Sequence, residues 1–237
     1  MTRTPIWQSI AATITQEIGQ GLYPEGSKLP TEAALSARFG VNRHTVRRAL
    51  ADLADQGAVH ARRGSGVFVT QAPTDYPIGR RTRFHQNIAA TGKLAHKRAL
   101  RLETRPSTAT EADALGIPAG EAVTIYEGIS MSGASALAYF ESLFPVRHLP
   151  DIADILAHET SVTAALAQNG IPDYLRRDTR ITAERASTTE ALHLNIREGD
   201  PILRSVSINT TPDGTPIEYG ITRFAGSRVA LTIAAED

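Results

Sequence analysis

Cysteine is absent from the 237 residues. That excludes structural disulfides and thiolate-held metals, and it fits a cytoplasmic protein. No apolar run approaches the ~20 residues needed to cross a bilayer, so no membrane partner is expected. Met1-Thr2-Arg3-Thr4-Pro5 leads into an amphipathic helix rather than an apolar signal core. Catalytic signatures are also missing. The seven histidines (His44, His60, His85, His96, His148, His158 and His193) are scattered, and none makes a paired helical metal motif. There is no Gly-x-Ser-x-Gly, no cysteine nucleophile and no phosphate-cradling P-loop. The sequence therefore predicts no catalytic residues, no metal and no cofactor. Aromatics are few, and the single tryptophan, Trp7, sits in an apolar helical stripe that marks it as core.

Net charge is zero, but it is unevenly laid out. Residues 1–75 carry 8 Lys/Arg against 6 Asp/Glu, residues 76–105 carry 8 against 1, and residues 106–237 carry 9 against 18. The acidic C-terminal body would repel a polyanion, whereas the front of the chain would attract one.

The stretch Leu29–Val69 carries the most specific pattern. Thr31 is placed to cap a helix running through Phe39, with Leu35 and Phe39 on one face and Gly40 as its stop. Asn42 caps a second helix in which Val46, Ala49, Leu50 and Leu53 form a buried stripe. Arg43 and Arg47 lie one turn apart on a different face, with His44 and Arg48 beside them. Val59 and Ala61, then Val67 and Val69, alternate as strands around Arg63-Gly64-Ser65-Gly66. Two short helices and a basic hairpin form a winged helix-turn-helix. A helix that enters the major groove needs an apolar back and rigid donors at its start. Guanidinium groups can read guanine there, while hydroxyl and backbone N–H groups hold phosphates.

This stretch resembles the winged domain of the GntR transcription regulators, whose hallmark Leu-Pro-(Ser/Thr)-Glu stands here at Leu29-Pro30-Thr31-Glu32. The resemblance covers about residues 5–70. It implies double-stranded operator DNA with palindromic half-sites as partner, read by a homodimer. The expected DNA-binding residues are Thr31, Asn42, Arg43, His44, Thr45, Arg47 and Arg48, with Arg62, Arg63, Gly64 and Ser65 in the wing. Many members carry arginine where this chain has Ala33, so one contact is missing.

The domains are expected at 1–70 for the winged helix-turn-helix, 71–81 for a linker and 82–237 for an effector-binding and dimerisation domain. Within the last, Ala114-Leu115 through Ala122-Val123 recurs as Ala191-Leu192 through Pro201-Ile202, about 79 residues later. Each copy is followed by a strand, a turn and a strand. Two helix-hairpin units predict one antiparallel sheet with helices packed on it, making the chain α+β. The expected elements include a helix after Arg80–Asn87 that ends at Thr91-Gly92-Lys93. Strands are expected at Lys97–Thr104, Thr179–Ala186 and Val229–Ala235.

Thr82-Arg83-Phe84, together with Glu218–Phe224, resembles the HutC branch of the family, and its PhnF-type phosphonate regulators most of all. This implies a chorismate-lyase-like effector domain. The expected effector-binding residues are Thr82, Arg83, Phe84, His85, Tyr139, Glu141, Glu218, Thr222 and Phe224. Thr82 is placed to cap the following helix and Arg83 to face an anion. The implied effector is a small anion such as a phosphonate or phosphate. Sugar-phosphate-binding members carry an Arg-x-Arg pair where this chain has Gly128-Ile129-Ser130, which disfavours a sugar phosphate. The expected function is a ligand-responsive repressor of phosphonate, phosphate or other uptake and catabolic genes. Alternatives are a repressor answering to a urocanate-like acid or sugar phosphate, and a small-molecule-binding protein or enzyme whose basic domain recruits a protein partner.

Overall fold

The computed structural model describes residues 5–62, 64–70, 73–89, 95–133 and 135–233, apart from the side chains of Arg62, His85, Gln86 and Ala89. The chain divides into two units, Met1–Ala72 and Pro73–Asp237, each with its own core.

In the first unit, local signals and structure agree. Helix α1 spans Ile6–Gly19, α2 Glu32–Phe39 and α3 Arg43–Asp55. The Thr31 hydroxyl accepts from Ala34 N–H (3.2 Å), and Asn42 Oδ1 accepts from Thr45 N–H (2.8 Å), so each cap satisfies a donor that the helix leaves unpaired. Gly40 ends α2 with φ +64°, a conformation that costs a residue with a Cβ. Ile10 and Ile14 of α1 meet Leu35, Val46, Leu50 and Leu53, with Trp7 and Phe39 packed at the margin. Strands β1 (Val59–Arg62) and β2 (Gly66–Val69) form an antiparallel hairpin in the register Val59↔Val69 and Ala61↔Val67. The hairpin is anchored to the core by Leu29 N–H, which donates to Val67 O (2.8 Å).

The second unit begins with β3, Thr74–Pro77, inside the stretch expected as linker. It pairs in parallel with β10, Val229–Thr232, at the far end of the chain. Helix α4 is short, Phe84–Ala89; residues 90–94, which include its expected stop, lie outside the described residues.

The main sheet is made of β4 (Ala95–Pro106), β5 (Ala122–Ser132), β6 (Ser135–Pro145), β7 (Leu175–Arg185), β8 (Pro201–Thr210) and β9 (Pro216–Ala225). Its six antiparallel strands run in the order β4-β5-β6-β9-β8-β7. This order is the repeat made visible, because β4-β5-β6 mirrors β7-β8-β9 about the β6–β9 seam. Helices α5 (Ala109–Leu115) and α8 (Thr188–Leu194) occupy matching places. Each has a full capping box, Thr108 with Glu111 and Ser187 with Glu190. Each ends in a left-handed residue, Gly116 or Asn195. The helices cross the seam: α5 packs on β9 of the other repeat and α8 on β6. Helices α6 (Ile152–Leu156) and α7 (Val162–Gln168) pack with Tyr126, Phe140 and Phe144 in a separate cluster. That cluster contains none of the α5 or α8 residues.

Two further boundaries differ from expectation. Strand β7 starts at Leu175 rather than Thr179, because the arginine-rich run there is an edge strand with most side chains exposed. A register shift between Arg176 and Asp178 hides its alternation. Strand β10 ends at Thr232, and residues 234–237 lie outside the described residues. Among the described residues no helix is long and apolar enough to cross a membrane, and no His/Asp/Glu group is placed to hold a metal.

Candidate nucleic-acid interface and effector cavity

Helix α3 buries Val46, Ala49, Leu50 and Leu53 and leaves Asn42, Arg43, His44, Arg47 and Arg48 exposed at its first two turns. Thr45, half-buried, donates its hydroxyl to Asn42 Oδ1 (2.9 Å). Arg47 is gripped by Glu32 in a two-pronged pair, Nε to Oε1 at 3.1 Å and Nη2 to Oε2 at 2.7 Å. The side-chain hydrogen bond from Arg47 is the main reason that the Glu32 carboxyl is held below its ordinary range. The pair links the starts of α2 and α3 and fixes the direction of the Arg47 guanidinium. Arg48 behaves differently: its guanidinium lies 4.6 Å from the centre of the Trp7 ring, stacked on α1. Gly64 and Ser65 are exposed at the wing tip, whereas the Arg62 side chain and Arg63 lie outside the described residues.

In the second unit, one sheet face, α7 and the α4 segment enclose a cavity of about 80 Å³. Of the expected effector residues, Thr82, Phe84, Glu218, Thr222 and Phe224 line it. Glu218, Thr222 and Phe224 alternate along β9, so a single face of that strand delivers all three.

Tyr139 and Glu141 do not reach the cavity. They alternate on β6 with Phe140 and Ser142, which do, and therefore point to the opposite sheet face. There the Tyr139 hydroxyl donates to Glu127 (2.7 Å), its ring lies against His193 (4.8 Å), and the Arg223 guanidinium sits over it (5.1 Å). Glu141 pairs with Arg101 (3.3 Å) on that face.

Arg83 is also committed elsewhere, with Nη2 donating to Asp173 (2.8 Å) and the guanidinium over the Tyr174 ring (4.7 Å). Thr82 does not cap α4, which starts two residues later. Its hydroxyl donates to Gly79 O (2.8 Å) and accepts from Gly79 N–H (2.9 Å), closing a tight turn. Helix α4 has only six residues, too short to offer an anion site at its start. The His85 side chain lies outside the described residues.

The cavity's cations come from positions that sequence reading missed, Lys97 on β4 and Arg176 on β7. Burial pushes the Lys97 ammonium down to about 8, with Glu218 opposing the fall. Its Nζ lies 4.3 Å from the Phe140 ring centre and 5.9 Å from that of Tyr126. Arg176 Nε donates to Asn209 Oδ1 (3.3 Å), and Asn209 Nδ2 donates to Glu218 Oε2 (2.6 Å). Ser142 Oγ donates to Glu218 Oε1 (2.6 Å). Burial also pushes the Tyr76 hydroxyl up to about 12, so it remains a neutral donor. Ser130, Ser161 and Thr163 add hydroxyls to the wall. Two cations with several hydroxyls are groups whose chemistry complements an oxyanion. Gly128 leaves no space for a side chain, because a Cβ there would meet Arg98 O at 2.6 Å and the Phe140 ring at 2.9 Å.

Residues 7–69 match the family described as bacterial regulatory proteins, gntR family, and residues 90–230 match the UTRA domain. An uncharacterized HTH-type transcriptional regulator of Rhizobium meliloti is 37% identical over 96% of this chain and 94% of its own length. An Escherichia coli relative named "Probable transcriptional regulator PhnF" is 34% identical, again over 96% and 94%. The crystal structure of PhnF from Mycobacterium smegmatis covers 96% of this chain and 99% of its own, with TM-score 0.68 at 22% identity, a likeness of fold. These families and relatives are transcriptional regulators, not enzymes.

Proposed function

The chain belongs to the GntR family of bacterial regulatory proteins and is a transcriptional regulator of its HutC type, and from that premise we propose a homodimeric repressor that answers to a small phosphonate or phosphate and controls genes for the uptake or breakdown of such compounds. The observation that carries the ligand reading is the cavity in which Lys97, Arg176 and several hydroxyls converge. A phosphoryl group has up to two negative charges and three acceptor oxygens, which this wall complements. The block at Gly128 weighs against sugar phosphates, because neither arginine of the pair used by sugar-phosphate-binding members stands here.

On the DNA side, we assign groove contacts to Arg43, His44, Thr45 and Arg47. Phosphate contacts go to Thr31, Asn42 and Arg48 and to the wing residues Arg62, Arg63, Gly64 and Ser65. Glu32 supports this reading by holding the Arg47 fork in a fixed direction, which lowers the ordering cost of a bidentate base contact. A homodimer reading inverted half-sites gains from effective concentration, because one winged domain carries little net positive charge.

The test is selection of duplexes from a random pool by the full-length protein, followed by titration in rising salt with and without methylphosphonate or inorganic phosphate, and with glucose 6-phosphate as the competing class. Enrichment of an inverted repeat, steep loss of binding with salt and an affinity change on adding either anion are expected. A pool that yields no enriched duplex sinks the regulator reading of these residues. A response confined to sugar phosphates sinks the ligand assignment.

A further inference from the structure

Among the described residues Glu218 is the one carboxylate lining the cavity, and it is only 7% exposed. Both of its oxygens accept hydrogen bonds, from Ser142 and Asn209, but both donors are neutral. Among the described residues no Lys, Arg or His comes within ion-pair distance of it. The Lys97 ammonium lies against the Phe140 ring, and Arg176 is turned to the Asn209 oxygen. Lys97 acts on it only through space; a buried carboxylate with no cation in contact is costly, and two neutral donors orient it without neutralising it. Its remaining lone pairs face a cavity that Tyr76, Phe84, Tyr174 and Phe224 also line. A carboxylate among aromatic rings is a setting that recognises an ammonium group. A plain anion would satisfy Lys97 and Arg176 and would be repelled by Glu218.

We propose that the ligand carries an ammonium as well as a phosphoryl group, with its cationic end at Glu218 and its anionic end at Lys97 and Arg176. This rests on the cavity being the anion-binding effector site. The charges balance: two cations and one carboxylate leave the wall with one net positive charge. An aminoalkyl compound whose phosphoryl end approaches two negative charges carries one net negative charge. Such a ligand places each of its charges opposite a protein group of the other sign. Aminoalkylphosphonates and amino-alcohol phosphate esters share this chemistry.

Calorimetric titration of the full-length protein with 2-aminoethylphosphonate, phosphoethanolamine and propylphosphonate tests it. Propylphosphonate replaces the ammonium with a methyl group at nearly constant shape. At least one of the two ammonium-bearing compounds should bind tenfold or more tightly than propylphosphonate, and the tighter of the two identifies the phosphonate or the ester as the source. In Glu218→Gln that gap should close, because the amide keeps the size and loses the charge. If that variant does not fold, the comparison in the unaltered protein decides alone. Propylphosphonate binding as tightly as both ammonium compounds overturns the ammonium assignment and leaves the anion site standing. No binding of any of the three, nor of inorganic phosphate, removes the anion site itself and this inference with it.

Discussion

Replacing Lys97 with methionine should make the protein more stable and its cavity less able to hold an anion. Methionine has nearly the same length and fills irregular apolar space. The native state disfavours the Lys97 ammonium, whose pKa is pushed from 10.5 to about 8 by burial. Between those two values the unfolded chain binds more protons than the native one, so native stability rises with pH across that window. Below the window, at pH 7, the charged lysine costs at most about 3 kcal/mol. Its contact with the Phe140 ring, 4.3 Å away, returns roughly 1–2 kcal/mol of this, and methionine forfeits that contact. The net expectation is that Lys97→Met gains roughly 1–2 kcal/mol at pH 7. Urea denaturation at pH 7 and pH 10 measures it. The advantage should shrink at pH 10, where the wild-type lysine is neutral in the native state. Phosphonate affinity should fall tenfold or more in the variant. A variant less stable than wild type at pH 7, or an advantage that persists unchanged at pH 10, would refute the reasoning.

Asn42→Ala removes the acceptor for Thr45 N–H and the Thr45 hydroxyl, and should cost the winged unit about 1 kcal/mol in thermal or chemical denaturation. Arg43→Ala and Arg47→Ala should each lose about 1–3 kcal/mol of specific DNA binding in anisotropy titrations, with the fold intact by circular dichroism. Glu111 forms a two-pronged pair with Arg105, which holds its carboxyl near 2. That stability is present above the unfolded carboxylate range and fades as pH falls towards 2, so Glu111→Gln should cost roughly 2 kcal/mol at pH 7 and about half as much at pH 3. An equal cost at both pH values would mean that capping, not charge, dominates.

The winged unit was legible because its signals are local. Caps at Thr31 and Asn42, a stop at Gly40 and one apolar stripe per helix each report on a few neighbouring residues. The repeat was legible too, since its helix end and the strand, turn and strand that follow recur about 79 residues apart. The cavity was legible only in part. Alternation on β9 correctly grouped Glu218, Thr222 and Phe224, but alternation on β6 cannot say which face of a sheet is roofed, and Tyr139 and Glu141 went to the wrong one. Lys97 and Arg176 escaped notice because both lie on edge strands next to register shifts, at Ala99/Arg101 and Arg176/Asp178. Arg176 also stands beside Arg177, and sequence offers no means of choosing between them. Strand β3 was read as linker because its partner, β10, lies at the other end of the chain, and no local pattern reports so distant a pairing.

The crossing of α5 onto β9 and α8 onto β6 has a consequence for how this domain is born. Neither repeat completes the cluster beneath its own helix: Tyr219 of the second repeat packs against the cluster beneath α5, and Tyr139 of the first against the cluster beneath α8. A ribosome releasing the first repeat exposes an unfinished surface until the second has been synthesised. The two halves must then condense together, in a search dominated by distant contacts, and such folding is slow. An isolated half, cut at the loop between them, should behave as a sticky, unstructured fragment and recover order only when its mate is added.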